Sequence, residues 1–441
     1  MRTYNSLGIE KAISLGFLSI ILAGTLLIYT VNHLMGRPVP LLDVLFTATS
    51  ATCVTGLAVF NIGTVLTFPS QILLLMLIQI GGLGLMTVST ALPLLLRQRI
   101  GLRARLFLAG GLGINTPQGA ILLLKRILYY TFFIEGIGAS MLFVGFLIYG
   151  ESPLRAVYQA IFHSISAFCN AGFSLYSTGL IPFEHSLIVP GAVMGLIVIG
   201  GIGFPVMSEL RDFSAGRLHH LSGACKTVLT TTAVLIVSAT FIFCLTEWNA
   251  AFVHLPAWAK VWNALFASIT PRTAGFETVS FQTFSGIGAA FTILLMIIGA
   301  SPASTGGGIK TTTLTVLLWT VWAELKNEDE VVLWKRHIES RTIRKALSLV
   351  MMYLGTLFIG TALLSITEKS SISTLFFEAV SALGTVGLTR GATSDLTNTG
   401  KIVIICLMYW GRVGLITFFY SLIKHEKRTE IHYPRGDTPI G

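Results

Sequence analysis

Apolar residues in this chain run in blocks rather than alternating with polar ones. Eight blocks of about 20 residues, near 12–34, 71–95, 127–149, 187–208, 227–246, 286–325, 346–366 and 401–423, hold few or no charges. That length crosses about 30 Å of hydrocarbon at about 1.5 Å per residue. Between blocks one and two, three and four, five and six, and seven and eight lies a shorter apolar stretch of about a dozen residues, beginning near Leu42, Arg155, Trp258 and Ile372. These are too short to cross, and each runs into a polar turn containing glycine. The pattern predicts an all-α polytopic membrane protein, with eight transmembrane helices and four re-entrant pore helices.

Superposing the four short stretches exposes an internal repeat. Their ends read Ser50-Ala-Thr-Cys-Val54-Thr55-Gly56-Leu57, Ser166-Ala-Phe-Cys-Asn170-Ala171-Gly172-Phe173, Ser268-Ile-Thr-Pro-Arg272-Thr273-Ala274-Gly275-Phe276 and Ser381-Ala-Leu-Gly-Thr385-Val386-Gly387-Leu388. Serine stands six residues before glycine in three rows and seven before it in the third; Phe46, Phe162 and Phe377 stand four before that serine in the same three. Four repeats follow, 12–95, 126–209, 226–325 and 343–423, with a tail at 424–441.

Composition agrees: of 441 residues, 53% are hydrophobic and 11% charged, against about 25% charged in soluble domains. The net charge of +10 would suggest nucleic acid for a soluble protein, but its distribution reports topology instead. The N-terminus, the connections 96–126, 209–226 and 324–345 and the tail hold 21 Lys and Arg, the alternate connections seven. The positive-inside rule then puts both termini in the cytoplasm, with the short stretches dipping in from outside. The five cysteines lie scattered in apolar context, and the nine histidines form no HExxH. No paired acids or clustered His and Asp mark a membrane face, which argues against a polytopic membrane enzyme; neither a covalent cofactor nor nucleic acid is expected.

Irregular backbone at membrane depth survives only when buried in protein or lining a watery cavity. Four such turns converging on one axis can present a ring of carbonyl oxygens that replaces the hydration shell of a monovalent cation. The expected filter is Val54, Thr55, Gly56, Asn170, Ala171, Gly172, Thr273, Ala274, Gly275, Thr385, Val386 and Gly387. Helix packing through small residues would explain one such glycine, but not four in matched positions. No Asp or Glu lies in these rows, which disfavours a calcium-type carboxylate ring. Asp43 and Glu378 fall earlier, in the short helices, as structural hydrogen-bonding groups.

The sixth block is interrupted by Gly299-Ala300-Ser301-Pro302-Ala303-Ser304-Thr305-Gly306-Gly307-Gly308-Ile309-Lys310, a run that cannot stay helical. It is not a P-loop, because Ile309 separates Gly308 from Lys310 and no strand precedes it. The expectation is an intramembrane gate made of Gly299, Ser301, Pro302, Ser304, Thr305, Gly306, Gly307, Gly308, Lys310 and Arg412. Arg412 sits in the apolar run Tyr409-Trp410-Gly411-Arg412-Val413-Gly414, where a charge facing lipid would cost several kcal/mol, so it should face the pore or a carboxylate. At about 8 Å and an effective dielectric of about 20 it would repel a cation by about 2 kcal/mol. Glu135, the other intramembrane charge, is expected to partner another helix.

These rows, with GASPASTGGGIKTTT and YWGRVG, resemble the Trk, Ktr and HKT superfamily of potassium transporters over essentially the whole chain. The absence of two additional N-terminal helices makes the chain similar to the bacterial KtrB type of membrane subunit. The resemblance implies four membrane-pore-membrane repeats around one pore, K+ as substrate, Na+ as coupling or activating ion, and Arg412 on the pore axis. It also implies a homodimer in the bacterial cell membrane, in contact with lipid, and a cytoplasmic ring of KtrA-type subunits that alone bind nucleotide. The filters lack a full TVGYG, so fewer stacked ion sites are expected. Arg272 is expected as an outer structural or electrostatic element. The potassium-binding subunit of a P-type pump is a rival reading, but that subunit is longer.

Overall fold

In a computed structural model of the chain, residues 9–84, 87 and 117–422 are described. A first unit comprises α1 (Ile9–Leu34), α2 (Leu41–Cys53), the single turn α3 (Ile62–Val65) and α4 (Phe68–Leu83). A second follows with α5 (Pro117–Ile148), α6 (Pro153–Phe168), α7 (Ile188–Ile202) and α8 (Phe204–Ser214). The third holds α9 (Gly223–Glu247), α10 (Ala257–Ile269), α11 (Gly286–Ile297) and α12 (Thr311–Leu325). A small antiparallel hairpin, β1 (Val332–Leu333) and β2 (Arg336–His337), leads into α13 (Ser340–Thr367), α14 (Ile372–Leu383), α15 (Asn398–Val413) and α16 (Leu415–Leu422).

The outgoing helices α1, α5, α9 and α13 are long and apolar enough to cross a membrane, and α7 with α8 forms a bent pair that qualifies together. Their outer faces expose Leu26, Phe132, Val237 and Phe358, each at least 60% accessible. Contiguous apolar faces of this kind on membrane-length helices suit contact with hydrocarbon. The short helices are the reverse, with Phe46, Phe162, Phe266 and Phe377 almost wholly buried. Their hydroxyls are buried too, so the molecule is polar at its centre and apolar at its rim.

The ends of three outgoing helices anchor the start of the return helix. Asn32 Oδ1 accepts from Thr67 N at 2.8 Å, Glu247 Oε2 from Ser285 N at 3.1 Å, and Glu368 from Thr397 N at 3.2 Å. Each anchor satisfies a helix-start amide that has no intrahelical partner.

One expectation changes. The return helices read as continuous in three repeats, yet all four end early. Gly84, Gly203 and Gly414 follow α4, α7 and α15 at φ of 82°, 99° and 89°, a region open mainly to glycine. The α7 and α8 axes differ by 97°, with Pro205 in the first turn after the break. The interruption anticipated only after Ile297 is thus one of four.

Candidate functional site: a ring of four turns

Each short helix ends in a turn of the same shape. Val54, Asn170, Thr273 and Thr385 have φ of 57°, 57°, 72° and 50°, and two residues later Gly56, Gly172, Gly275 and Gly387 have φ of 97°, 70°, 75° and 92°. A non-glycine residue in this region costs about 1–2 kcal/mol. Four such costs, all in one register, mark strain imposed by a common geometry.

Hydrogen bonds fix the turn. Thr55 N donates to Ser50 O (2.8 Å), Ala171 N to Ser166 O (2.7 Å) and Val386 N to Ser381 O (2.8 Å). The serine hydroxyl then reaches across: Ser50 and Ser381 accept from Gly56 N and Gly387 N at 3.0 and 3.1 Å, while Ser166 donates to Phe173 O at 2.8 Å. In the third unit Thr270 does this work, its hydroxyl donating to Phe276 O at 2.5 Å and its carbonyl accepting from Ala274 N at 3.0 Å. Ser268, the residue aligned by sequence, instead bonds Leu265 O and receives Thr240. The third turn is therefore one residue shorter than its counterparts, not one longer. Arg272 is buried beside the turn, donating to Thr232 Oγ1 of α9 at 3.3 Å.

The turns close into a cycle. A Cβ on Gly56 would stand 2.5 Å from Ala171 O, one on Gly172 2.8 Å from Ala274 O, and one on Gly275 2.5 Å from Val386 O; one on Gly387 would meet Thr55 O. Each unit's glycine thus abuts the carbonyl of the next unit, and the fourth returns to the first. All twelve residues of the expected filter lie in these four turns.

Beneath the ring, segment 299–310 crosses the molecule as ordered, non-helical backbone. Gly299 N donates to Ile309 O (2.9 Å), Ser301 N to Gly201 O (3.1 Å) and Thr305 N to Gly200 O (3.3 Å). Thr311 Oγ1 donates to Ser301 Oγ (3.1 Å) and Ser304 Oγ to Ser301 O (2.6 Å), while the Pro302 carbonyl packs on Gly203. Thr305 Oγ1 reaches Phe168 O at 3.2 Å; Gly306 abuts the Thr273 hydroxyl and Gly307 the Thr385 hydroxyl, contacts any side chain would prevent. Gly308, at φ 67°, lies against Gly299. Lys310 Nζ folds back onto Gly306 O (2.8 Å) and Gly307 O (3.3 Å). Arg412, from the end of α15, donates to Thr305 O and to Gly81 O at the end of α4. All ten gate candidates meet in this one layer.

Three acids, Glu378, Asp43 and Glu135, are satisfied by neighbours. Glu378 accepts from the Thr389 and Thr393 hydroxyls, each at 2.6 Å, and from Arg390 N at 3.0 Å, pinning the segment that leaves the fourth turn. Asp43 pairs with Lys401 at 2.6 Å, and Glu135 accepts from Gln79 of α4 at 3.0 Å. Sequence reasoning missed a further layer: Gly81, Gly200 and Gly411 lie against the carbonyl oxygens of Thr52, Phe168 and Leu383 at the ends of the short helices. The signal was present in the strings Gly81-Gly82-Leu83-Gly84, Gly200-Gly201-Ile202-Gly203 and Gly411-Arg412-Val413-Gly414.

A mostly helical, multi-pass membrane protein that buries polar, irregular backbone at its centre belongs, as a class, with the membrane transport proteins. Comparison with known proteins makes this specific. The family model TrkH, described as a cation transport protein, matches residues 3–431, and the chain belongs to this family. Ktr system potassium uptake protein B of Bacillus subtilis is 39% identical over 431 residues, covering 96% of this chain and 95% of that one. The protein of the same name from Vibrio alginolyticus is 36% identical, covering 98% and 95%. Potassium/sodium uptake protein NtpJ of Enterococcus hirae is 36% identical, covering 96% and 94%. The crystal structure of the potassium transporter TrkH from Vibrio parahaemolyticus shares the fold, with a TM-score of 0.76 at 19% identity over 96% of this chain and 86% of that one.

Proposed function

We propose that this chain takes up potassium across the bacterial cell membrane through a single pore formed by its four units, with the ring of turns as selectivity filter. The observation that carries the reading is the closed cycle in which each glycine abuts the next unit's carbonyl. Oxygens so placed substitute for the water around a monovalent cation without a carboxylate. A membrane potential of about 120 mV supplies about 2.8 kcal/mol per ion, enough for about hundredfold accumulation, so uptake needs only a gated path. The gate is segment 299–310 latched by Arg412, which lies against the inner ends of the turns.

The names of the relatives support potassium as substrate, and NtpJ's name supports a sodium role. A Ktr-type assembly adds a homodimer, lipid contact, cytoplasmic termini and a ring of KtrA-type nucleotide-binding subunits. The ring's docking surface would include 324–345, where Lys335 and Arg336 are exposed on the hairpin, and the connection 96–126 and the tail, which lie largely outside the described residues. Truncation after Lys427 with neutralisation of Arg103, Arg105, Lys335 and Arg336 should then abolish partner binding.

The test of the main reading is potassium uptake in a transporter-deficient bacterium, with and without a KtrA-type partner. Uptake that is selective for potassium and rises with the partner is the expected result. Failure to carry potassium in a chain that reaches the membrane would refute it.

A further inference from the structure

Beyond the ring the four backbones continue as Leu57-Ala58, Phe173-Ser174, Phe276-Glu277 and Leu388-Thr389. The second residue of each pair lines an outer cavity of about 280 Å³, and the four ring glycines line it as well. Three of these matched positions are neutral. The fourth is Glu277, among the described residues the only charged side chain lining the cavity.

Glu277 is held in place without being neutralised. Its backbone carbonyl accepts from Leu180 N at 2.9 Å, and Gly179, at φ 62°, packs beside its side chain. The carboxylate accepts one long hydrogen bond, from Phe281 N at 3.4 Å, and has no ion pair among the described residues. Of the titratable groups nearby, those on the second unit and Glu378 on the fourth have partners of their own. On the second unit, the Tyr176 hydroxyl lies 2.6 Å from Gln159 Oε1 and 3.2 Å from Glu151 Oε1, Arg155 pairs with Glu151 at 3.5 Å, and His163 Nε2 meets Ser174 Oγ at 3.0 Å. On the fourth, Glu378 is enclosed by threonine hydroxyls, Arg390 follows Thr389, and Asp395 follows the lining residue Ser394.

We propose that the Glu277 carboxylate is an outer binding site for a hydrated monovalent cation, the transported ion itself, and that external protons compete for it. The inference rests on the ring being the conduit. An uncompensated carboxylate in a confined mouth raises the local concentration of cations and lowers the external concentration needed to load the path. Burial pushes this acid up to about 7. The group is therefore charged above neutrality and able to hold a cation; as pH falls through 7 it takes a proton and the attraction is lost.

The experiment is tracer potassium uptake by the full-length protein at external pH 5.5–8.5. KM should rise about three- to tenfold from the alkaline to the acid end, with the maximal rate little changed. Glu277→Gln should show the acid-side KM at every pH, and Glu277→Asp should keep the pH dependence. Because the four positions are equivalent around the ring, Ala58→Glu in the Glu277→Gln background should restore the low KM. A Glu277→Gln protein with the wild-type KM and pH profile, or a wild-type KM independent of pH, would overturn the site while leaving the conduit intact. A wild-type chain that carried no potassium at any pH would overturn the conduit reading, and the site with it.

Discussion

A glycine held at φ between 70° and 97°, with a neighbouring carbonyl where its side chain would be, has no tolerated replacement. Gly275→Ser adds a backbone penalty of about 1–2 kcal/mol and drives Val386 O out of the ring. Potassium KM should rise about tenfold or preference over sodium should fall by a similar factor, read from competitive uptake; wild-type values would sink the filter. At Arg412 the expectation is a gain. Arg412→Ala removes both the charge below the ring and the latch from Thr305 O to Gly81 O, so maximal uptake should rise about three- to thirtyfold. Arg412→Lys keeps the charge but lacks the planar fork that reaches two carbonyls, and its rate should fall between the two. A Lys variant as fast as the Ala variant would assign the barrier to the latch rather than to charge.

At the scale of elements, segment 299–310 gains order from partners on three units, so it acts as one body. Deleting Thr305 to Gly308 should raise flux as Arg412→Ala does, and the double variant should gain less than the product of the single effects. Multiplicative gains would indicate two separate barriers; lost flux in a folded protein would mean that the segment supports the pore. The long helices, short helices and glycine turns were legible because burial in lipid and φ above zero leave strong marks on composition and spacing. The breaks at Gly84, Gly203 and Gly414 were not, since a glycine inside an apolar block reads equally well as a packing residue. Nor was Thr270: spacing selected Ser268, but turn geometry is set by hydrogen bonds, and a threonine two residues on supplies the same hydroxyl. Gly203→Ala tests the breaks. It should cost about 1–2 kcal/mol and crowd the Pro302 carbonyl, lowering the melting temperature of purified protein.

Across the whole molecule, closure depends on contacts between units distant in sequence. The last unit meets the first through Lys401 and Asp43, an ion pair at 2.6 Å with side chains 14% and 19% exposed. Lys401→Met leaves that carboxylate half-enclosed and unpaired, and should cost about 1–3 kcal/mol, seen as earlier thermal unfolding; Asp43→Asn with Lys401→Met should recover part of it. The distribution of Arg412 and the long insertion carries another meaning. By the glycine strings, the position of Arg412 corresponds to Gly82 in the first unit and Gly201 in the second, and among the described residues the twelve-residue insertion occurs in one unit alone. A channel assembled from four identical chains would inherit four plugs and four guanidinium groups, with room on the axis for one of each. Joining the four copies in a single polypeptide lifts that restriction, so that, on the function proposed above, one quarter becomes the stopper, another its clasp, and a third contributes a carbonyl that the clasp holds.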